Sequence, residues 1–139
     1  TGFPGETEEQ FCELARFVKE KRFDRLGCFT YSAEEDTAAA LFPDQIDEQT
    51  KQDRMDNIME LQQTISAEKN EEKVGTVTEV LTEGWDDYIK CYFGRTQSDA
   101  PEVDGKIFFM SSRPLVIGEF VKVRINDTLD YDLLGELEE

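Results

Sequence analysis

The sequence predicts an α/β segment followed by a small all-β barrel of five antiparallel strands, of the OB type. Three observations predict it. The first half alternates strand-like and helix-like runs, with apolar residues three and four apart in the helices. From Val74 onward Gly, Thr, Val and aromatics dominate in short runs whose apolar residues recur every second position. Between the halves lies the charged stretch Glu68-Lys69-Asn70-Glu71-Glu72-Lys73, where the boundary is expected at about residues 68 to 74. The 139 residues suffice for one medium domain or two small ones, and 38% hydrophobic residues, ten of them Phe, suffice for a packed core.

Each element has a local cause. Thr7 with Gln10 three residues on reads as a capping box, and Glu8 and Glu9 suit the positive helix end. Phe11, Leu14, Ala15 and Val18 then share one face, with Lys19, Lys21 and Arg22 at the far end. Leu26 to Tyr31 reads as a buried strand. Residues 32 to 46 read as irregular, broken at Pro43-Asp44. A long helix is expected from about Glu48 to Asn70, carrying Met55, Ile58, Met59, Leu61 and Ile65 as its apolar stripe. Five strands follow: Val74 to Thr82, Tyr88 to Gly94, Lys106 to Ser111, Phe120 to Asn126 and Tyr131 to Leu137. Ile89, Cys91 and Phe93 form one expected inner set, and Val121, Val123 and Ile125 another.

Charge narrows the partners. The formal net charge is −17, spread evenly as −9 over residues 1 to 73 and −8 over residues 74 to 139. Affinity for nucleic acid rests on Lys and Arg neutralising phosphates, so this balance argues against such a surface and suits a basic protein partner. The same charge also serves an acidic protein that needs only to stay in solution. No apolar run is long enough to cross a bilayer, and there is no signal peptide. The chain begins at Thr1 inside a strand-to-helix turn, without an initiator Met, and reads as a fragment. Cys12, Cys28 and Cys91 are isolated and there is no His, so no metal site is expected within these residues, and a reducing, cytoplasmic setting is.

Several motifs stand out. GFPGET at Gly2 to Thr7 sets two Gly and a Pro before a helix start, where backbone approaches ligands closely. Its plain alternative is an ordinary turn, and Glu6 at the helix start disfavours a diphosphate, leaving a neutral or cationic ligand. Phe29 and Tyr31, at the end of the second strand, are placed to stack on a flat ring or to pack in the core. Glu34, Glu35 and Asp36 cluster just beyond. Gly94-Arg95 offers a bidentate anion contact or a surface ion pair, with Asp99 or Glu102 as the expected partner.

Taken together, GFPGET, Tyr31 to Ala38, Pro43 to Gln45, Arg54 to Ser66, Val74-Gly75, Gly94-Arg95, SDAPEVDG at Ser98 to Gly105 and DYDLLG at Asp130 to Gly135 resemble the C-terminal part of the radical-SAM methylthiotransferases nearly end to end. The last two motifs look specific to the branch that modifies an aspartate of small-subunit ribosomal protein S twelve. The resemblance implies that residues 1 to 70 are the last strands and helices of a radical-SAM barrel and residues 71 to 139 a TRAM domain. It implies S-adenosylmethionine and two [4Fe–4S] clusters in the parent enzyme, with cluster ligands outside this chain, and a fragment inactive alone. Cleavage of S-adenosylmethionine would start hydrogen abstraction from the aspartate β-carbon, where sulfur and a methyl group are installed. Gly2, Pro4, Gly5 and Glu6 match the family segment near the S-adenosylmethionine pocket, and Phe29, Tyr31 and Ser32 the strand end that flanks it. No residue here is expected to be catalytic or to bind metal. Asp36 departs from the family's usual Gly, and Asp tolerates the left-handed backbone such a position needs. The rival readings are a tRNA adenosine methylthiotransferase, for which a basic residue is expected in place of Glu34 or Glu35, and a non-catalytic acidic OB-like adaptor.

Overall fold

A computed structural model describes residues 1–138. The chain divides into two compact units, Thr1–Ile65 and Ser66–Glu139.

In the first unit, helix α1 (Glu8–Lys21) begins at the expected capping box: the Thr7 hydroxyl accepts from the Gln10 amide, and the Gln10 side chain accepts from the Thr7 amide. Phe11 and Val18 are buried while Leu14 lies at the rim of the buried face. The segment Leu26 to Tyr31 does not form the expected buried strand. It is extended but, among the described residues, paired only through Thr1, whose nitrogen donates to the Phe29 carbonyl at 2.8 Å and whose carbonyl accepts from Tyr31 at 2.7 Å. That is the offset of a parallel pair. With no further strand alongside within these residues, Phe29 remains 83% exposed. A single 3-10 turn at Ala39–Leu41 interrupts the irregular stretch, and the chain is left-handed at Asp36 (φ 65°) and Asp44 (φ 60°).

Helix α2 (Glu48–Lys73) is longer than expected, because the charged stretch at its end consists mostly of good helix formers. Its buried positions in the first unit are Lys51, Arg54, Ile58, Gln62 and Ile65, spaced three and four apart. Three of the five are polar. The expected stripe through Met55, Met59 and Leu61 is only half-buried, on the flank of this face.

The second unit is the five-stranded closed barrel: β1 (Val77–Asp86), β2 (Cys91–Arg95), β3 (Ile107–Met110), β4 (Phe120–Leu129) and β5 (Asp132–Leu137), ordered β1-β2-β3-β5-β4 and closed by β4 on β1. It is not wholly antiparallel, since β3 and β5 run parallel. Closure makes this unavoidable: directions cannot alternate all the way round a ring of five. Val80, Ile107, Phe109, Val121, Val123, Ile125 and Leu133 fill the interior. Bulges between Thr82 and Gly84 and between Ile125 and Asp127 bend the two long strands around it. Phe93 does not join the expected inner set: it is half-buried against Phe108, while Tyr92 packs on the core. Nor does Ile89. It lies in the turn closed by Asp86, whose Oδ1 accepts from the Tyr88 and Ile89 amides, and is 49% exposed.

Candidate functional site

The GFPGET segment is a turn and a helix start in one. The Glu6 amide donates to the Phe3 carbonyl, with Pro4 and Gly5 between them and Gly5 at φ 82°. Pro at the second position and a left-handed Gly at the third is the pattern of a type II turn. The Gly5 amide reaches the Asp44 carbonyl at 2.9 Å, tying this turn to the loop after Pro43.

Glu6 faces inward. Its Oε1 accepts from the Gly2 amide at 2.9 Å and from Arg54 Nη1 at 2.7 Å. Arg54 also donates to the Glu6 carbonyl at 3.2 Å and to Glu8 at 3.2 Å. Burial opposes the charge on Arg54, but the hydrogen bonds and charges of Glu6 and Glu8 prevail, so the guanidinium titrates above its ordinary value. The second cation, Lys51, donates from Nζ to the Tyr31 carbonyl at 3.1 Å and to Glu48 at 2.7 Å, and stands 5.3 Å from the Tyr31 ring centre.

The structure therefore brings most of the sequence-predicted residues together. Gly2, Pro4, Gly5 and Glu6 form one turn, and Tyr31 meets it through Phe3, whose ring lies edge-on at 5.2 Å. Phe42 completes an aromatic trio at 6.2 Å from Phe3. Phe29 and Ser32 are exposed, Phe29 with its ring open to solvent. The Tyr31 hydroxyl is buried without a partner among the described residues. The open ring faces suit stacking on a flat ring. Sequence reasoning missed Lys51 and Arg54. The RxxxxMxLQQxIS pattern held the signal, since Arg54, Gln62, Ile65 and Ser66 of that motif are all buried.

The cysteines are single. Cys12 is exposed, Cys28 half-buried and Cys91 buried, its thiol pushed up by burial and then by Asp86. Among the described residues no three His, Cys, Asp or Glu side chains gather as a metal set. No helix is long and apolar enough to cross a membrane.

On the barrel, the two late motifs meet. The Lys106 amide, just after SDAPEVDG, donates to Asp132 Oδ1 of DYDLLG at 2.7 Å, and the Leu133 amide donates back to the Lys106 carbonyl at 2.9 Å. Asp99 and Asp104 fold the loop on itself by accepting from Thr96 and from the Ala100 amide. Arg95 pairs with Glu83 across the β1 bulge at 2.7 Å, in place of the expected Asp99 or Glu102. A groove of about 850 Å³ opens beside these residues, lined among others by Lys73, Val77, Glu79, Arg95, Ser98 and Phe120. All of its lining belongs to the second unit, whereas the sequence-predicted cofactor residues all belong to the first.

Known proteins resemble the chain along nearly its whole length. Residues 74–137 match the TRAM domain family. The chain is 54% identical over 137 residues to the ribosomal protein uS12 methylthiotransferase RimO of Desulforamulus reducens, covering 98% of this chain and 31% of that protein. The RimO of Clostridium novyi is 52% identical over 134 residues, covering 96% and 30%, and that of Clostridioides difficile 50% identical over 137 residues, covering 98% and 30%. The chain thus spans about 30% of the length of these relatives, in their C-terminal part. From one end to the other, then, the chain is similar to the C-terminal part of proteins named RimO methylthiotransferases, and its TRAM domain is formed as a closed five-stranded barrel.

Proposed function

We propose that this chain is the C-terminal segment of a radical-SAM enzyme that methylthiolates the β-carbon of an aspartate in ribosomal protein S twelve of the small subunit. The observation that carries the proposal is the end-to-end identity with proteins named for that activity. In this reading residues 1–70 complete the radical-SAM barrel, residues 71–139 are the TRAM domain, and the setting is the cytoplasm. The segment alone is inactive, since the cluster ligands lie elsewhere in the parent.

Gly2, Pro4, Gly5, Glu6, Phe29, Tyr31 and Ser32 are proposed to border S-adenosylmethionine, which when bound supplies the methyl group and the hydrogen-abstracting power. The chain's own residues shape the pocket wall. The type II turn sets the main chain of Gly2 to Glu6, and Phe29 and Tyr31 offer ring surface. Glu6 acts on the turn itself, because its inward oxygen is taken by Gly2 and Arg54. The three cysteines do not fit a [4Fe–4S] cluster, and no step is assigned to them.

The TRAM domain is proposed to recognise the basic protein substrate rather than nucleic acid. Its excess of acids supports this, but many of them serve the fold: Glu83 holds Arg95, Asp86 caps a turn, and Asp87 accepts from the Trp85 indole. Glu79 and Glu102 are exposed and make no such bond, so they are the acids to reverse. Glu79→Lys with Glu102→Lys should weaken binding of the ribosomal protein and flatten its salt dependence.

Mass spectrometry of ribosomal proteins and tRNA nucleosides, from cells with and without the parent gene, tests the proposal. Loss of the methylthio group from the ribosomal protein with tRNA unchanged is the expected result. Loss from tRNA instead would establish the adenosine-modifying reading in its place.

A further inference from the structure

We infer that Lys51 and Arg54 are positioning residues, which set from beneath the two segments proposed above to border S-adenosylmethionine. The inference rests on that reading of the segments. Lys51 and Arg54 lie one turn apart on α2 and are 3% and 7% exposed. Each reaches a different segment. Arg54 holds the turn through the Glu6 carbonyl and carboxylate, and that carboxylate in turn holds the Gly2 amide. Lys51 holds the strand end through the Tyr31 carbonyl. It also supports the turn, because a Cβ built on Gly2 would stand 2.2 Å from Lys51 Cγ. The absent side chain of Gly2 and the stem of Lys51 are therefore one fitted pair. The Thr1 hydroxyl, next to Gly2, donates to the Lys51 carbonyl at 3.3 Å, so the tie runs in both directions.

Packing alone does not call for these residue types. Burying a cation is costly, and an apolar side chain of equal volume commonly serves a core at least as well. Arg54 even leaves its buried Nε without a partner among the described residues. What a Met or Leu cannot do is donate to a named carbonyl at a fixed angle. Beside the bonds to Glu48 and Glu8, each cation donates to a main-chain carbonyl of one segment, and Arg54 also to the carboxylate that holds the turn. Because a single helix turn carries both, the relative placement of turn and strand end is fixed by one rigid element. A pocket wall built from two segments about 25 residues apart in sequence needs such a common support.

Lys51→Met and Arg54→Lys separate positioning from bulk. The first keeps the stem against Gly2 and removes the donor. The second keeps a charge near Glu6 and loses the fork that reaches both the carbonyl and the carboxylate. Two measurements apply. In the full-length parent enzyme, KM for S-adenosylmethionine should rise ~10-fold in each variant while kcat falls less than ~3-fold, the pattern of lost ground-state binding. In this 139-residue chain, without cofactor, amide exchange by NMR should accelerate at Gly5, Glu6 and Tyr31 and stay as in the wild type at Val18 and Ile58. Unchanged KM together with unchanged exchange would overturn the inference. So would equal loss of protection at Val18 and Ile58, which marks a residue that only stabilises the fold. A wild-type parent that does not methylthiolate would count against the proposed function, while the exchange pattern would still test the support itself.

Discussion

Gly105 joins the two motifs that mark the barrel, and replacing it with Ala should cost far more than its one methyl group implies. Its backbone is not left-handed, so Ala meets no conformational penalty there. The obstacle is proximity: a Cβ would lie 2.0 Å from the Tyr131 carbonyl oxygen and 2.8 Å from its carbon, distances that real Cβ atoms do not show. Main chain must move, and the main chain concerned begins β5. Two hydrogen bonds lie at the point of contact, Lys106 to Asp132 and Leu133 to Lys106. Losing them costs about 1 kcal/mol each. Forcing the strands apart adds about 1–2 kcal/mol, as overpacking generally does. Leu133, one of the buried core residues, is drawn out of register by the same shift. The expected loss is about 3–4 kcal/mol, a large share of the roughly 5–15 kcal/mol that holds a domain folded. Trp85 is the single tryptophan and packs on Tyr92 at 4.8 Å, so its fluorescence reports the barrel unit alone in urea unfolding. Gly118→Ala is the control. It is left-handed at φ 93° with nothing within 4 Å of a Cβ, so backbone strain of about 1–2 kcal/mol is all it should lose. A Gly105→Ala barrel no less stable than the Gly118→Ala one would refute the close-approach argument.

Further outcomes follow from other contacts. Thr7→Ala removes one half of the capping box and should cost about 1 kcal/mol, read by circular dichroism of α1 and α2 during unfolding. Glu83→Gln should cost less than about 1 kcal/mol and become silent at high salt, since the Arg95 pair is partly open to solvent. The barrel should also show an acid limb with two owners. Arg113 and Arg124, by hydrogen bonds to Glu119 and Glu138, hold both carboxyls below the ordinary 4.5. On unfolding these groups regain the ordinary value, so the unfolded chain binds the protons first. The stability they contribute is full above 4.5 and drains away as pH falls through their lower folded values. Arg113→Met with Arg124→Met should flatten that limb in a pH series of Trp85-detected unfolding. An unaltered limb would assign it to other carboxyls.

Much of the fold was legible because its causes are local. The Thr7–Gln10 box needs four residues and nothing else, and it formed as expected. The inner set Val121, Val123 and Ile125 announces itself by alternation and is buried to 6% exposure or less. Asp36 took the left-handed backbone that its place in the motif requires. The errors arose where a distant partner decides. A run such as Leu26 to Tyr31 has the composition of a buried strand, but burial depends on neighbours, and among the described residues only Thr1 pairs alongside. The Arg95 partner was sought in the next loop, whereas strand pairing sets Arg95 opposite Leu81 and the nearby bulge of β1 brings Glu83 to it. The parallel β3–β5 pair follows from counting strands around a ring, not from any residue.

The candidate site was legible in a different sense. Its segments were found by motif, but what holds them was not, because the hydrophobic stripe is a poor guide to a face that buries charge. A search for apolar residues on α2 finds Met55 and Met59 and passes over Lys51 and Arg54, which are more buried than either. Cations are expected outside, and they lie inside here because each meets fixed acceptors supplied by other parts of the chain: Glu6 and its carbonyl for Arg54, the Tyr31 carbonyl for Lys51. Those acceptors stand 20 and 48 residues from the donors in sequence, so no periodicity in α2 can reveal them. The recurring spacing of three and four through Lys51, Arg54, Ile58, Gln62 and Ile65 is nonetheless that of one helix face. A buried face written half in polar residues costs stability unless each polar group has a definite partner. Where such a face lies under two segments that converge from separate parts of the chain, its expense is best explained by the placement of those segments.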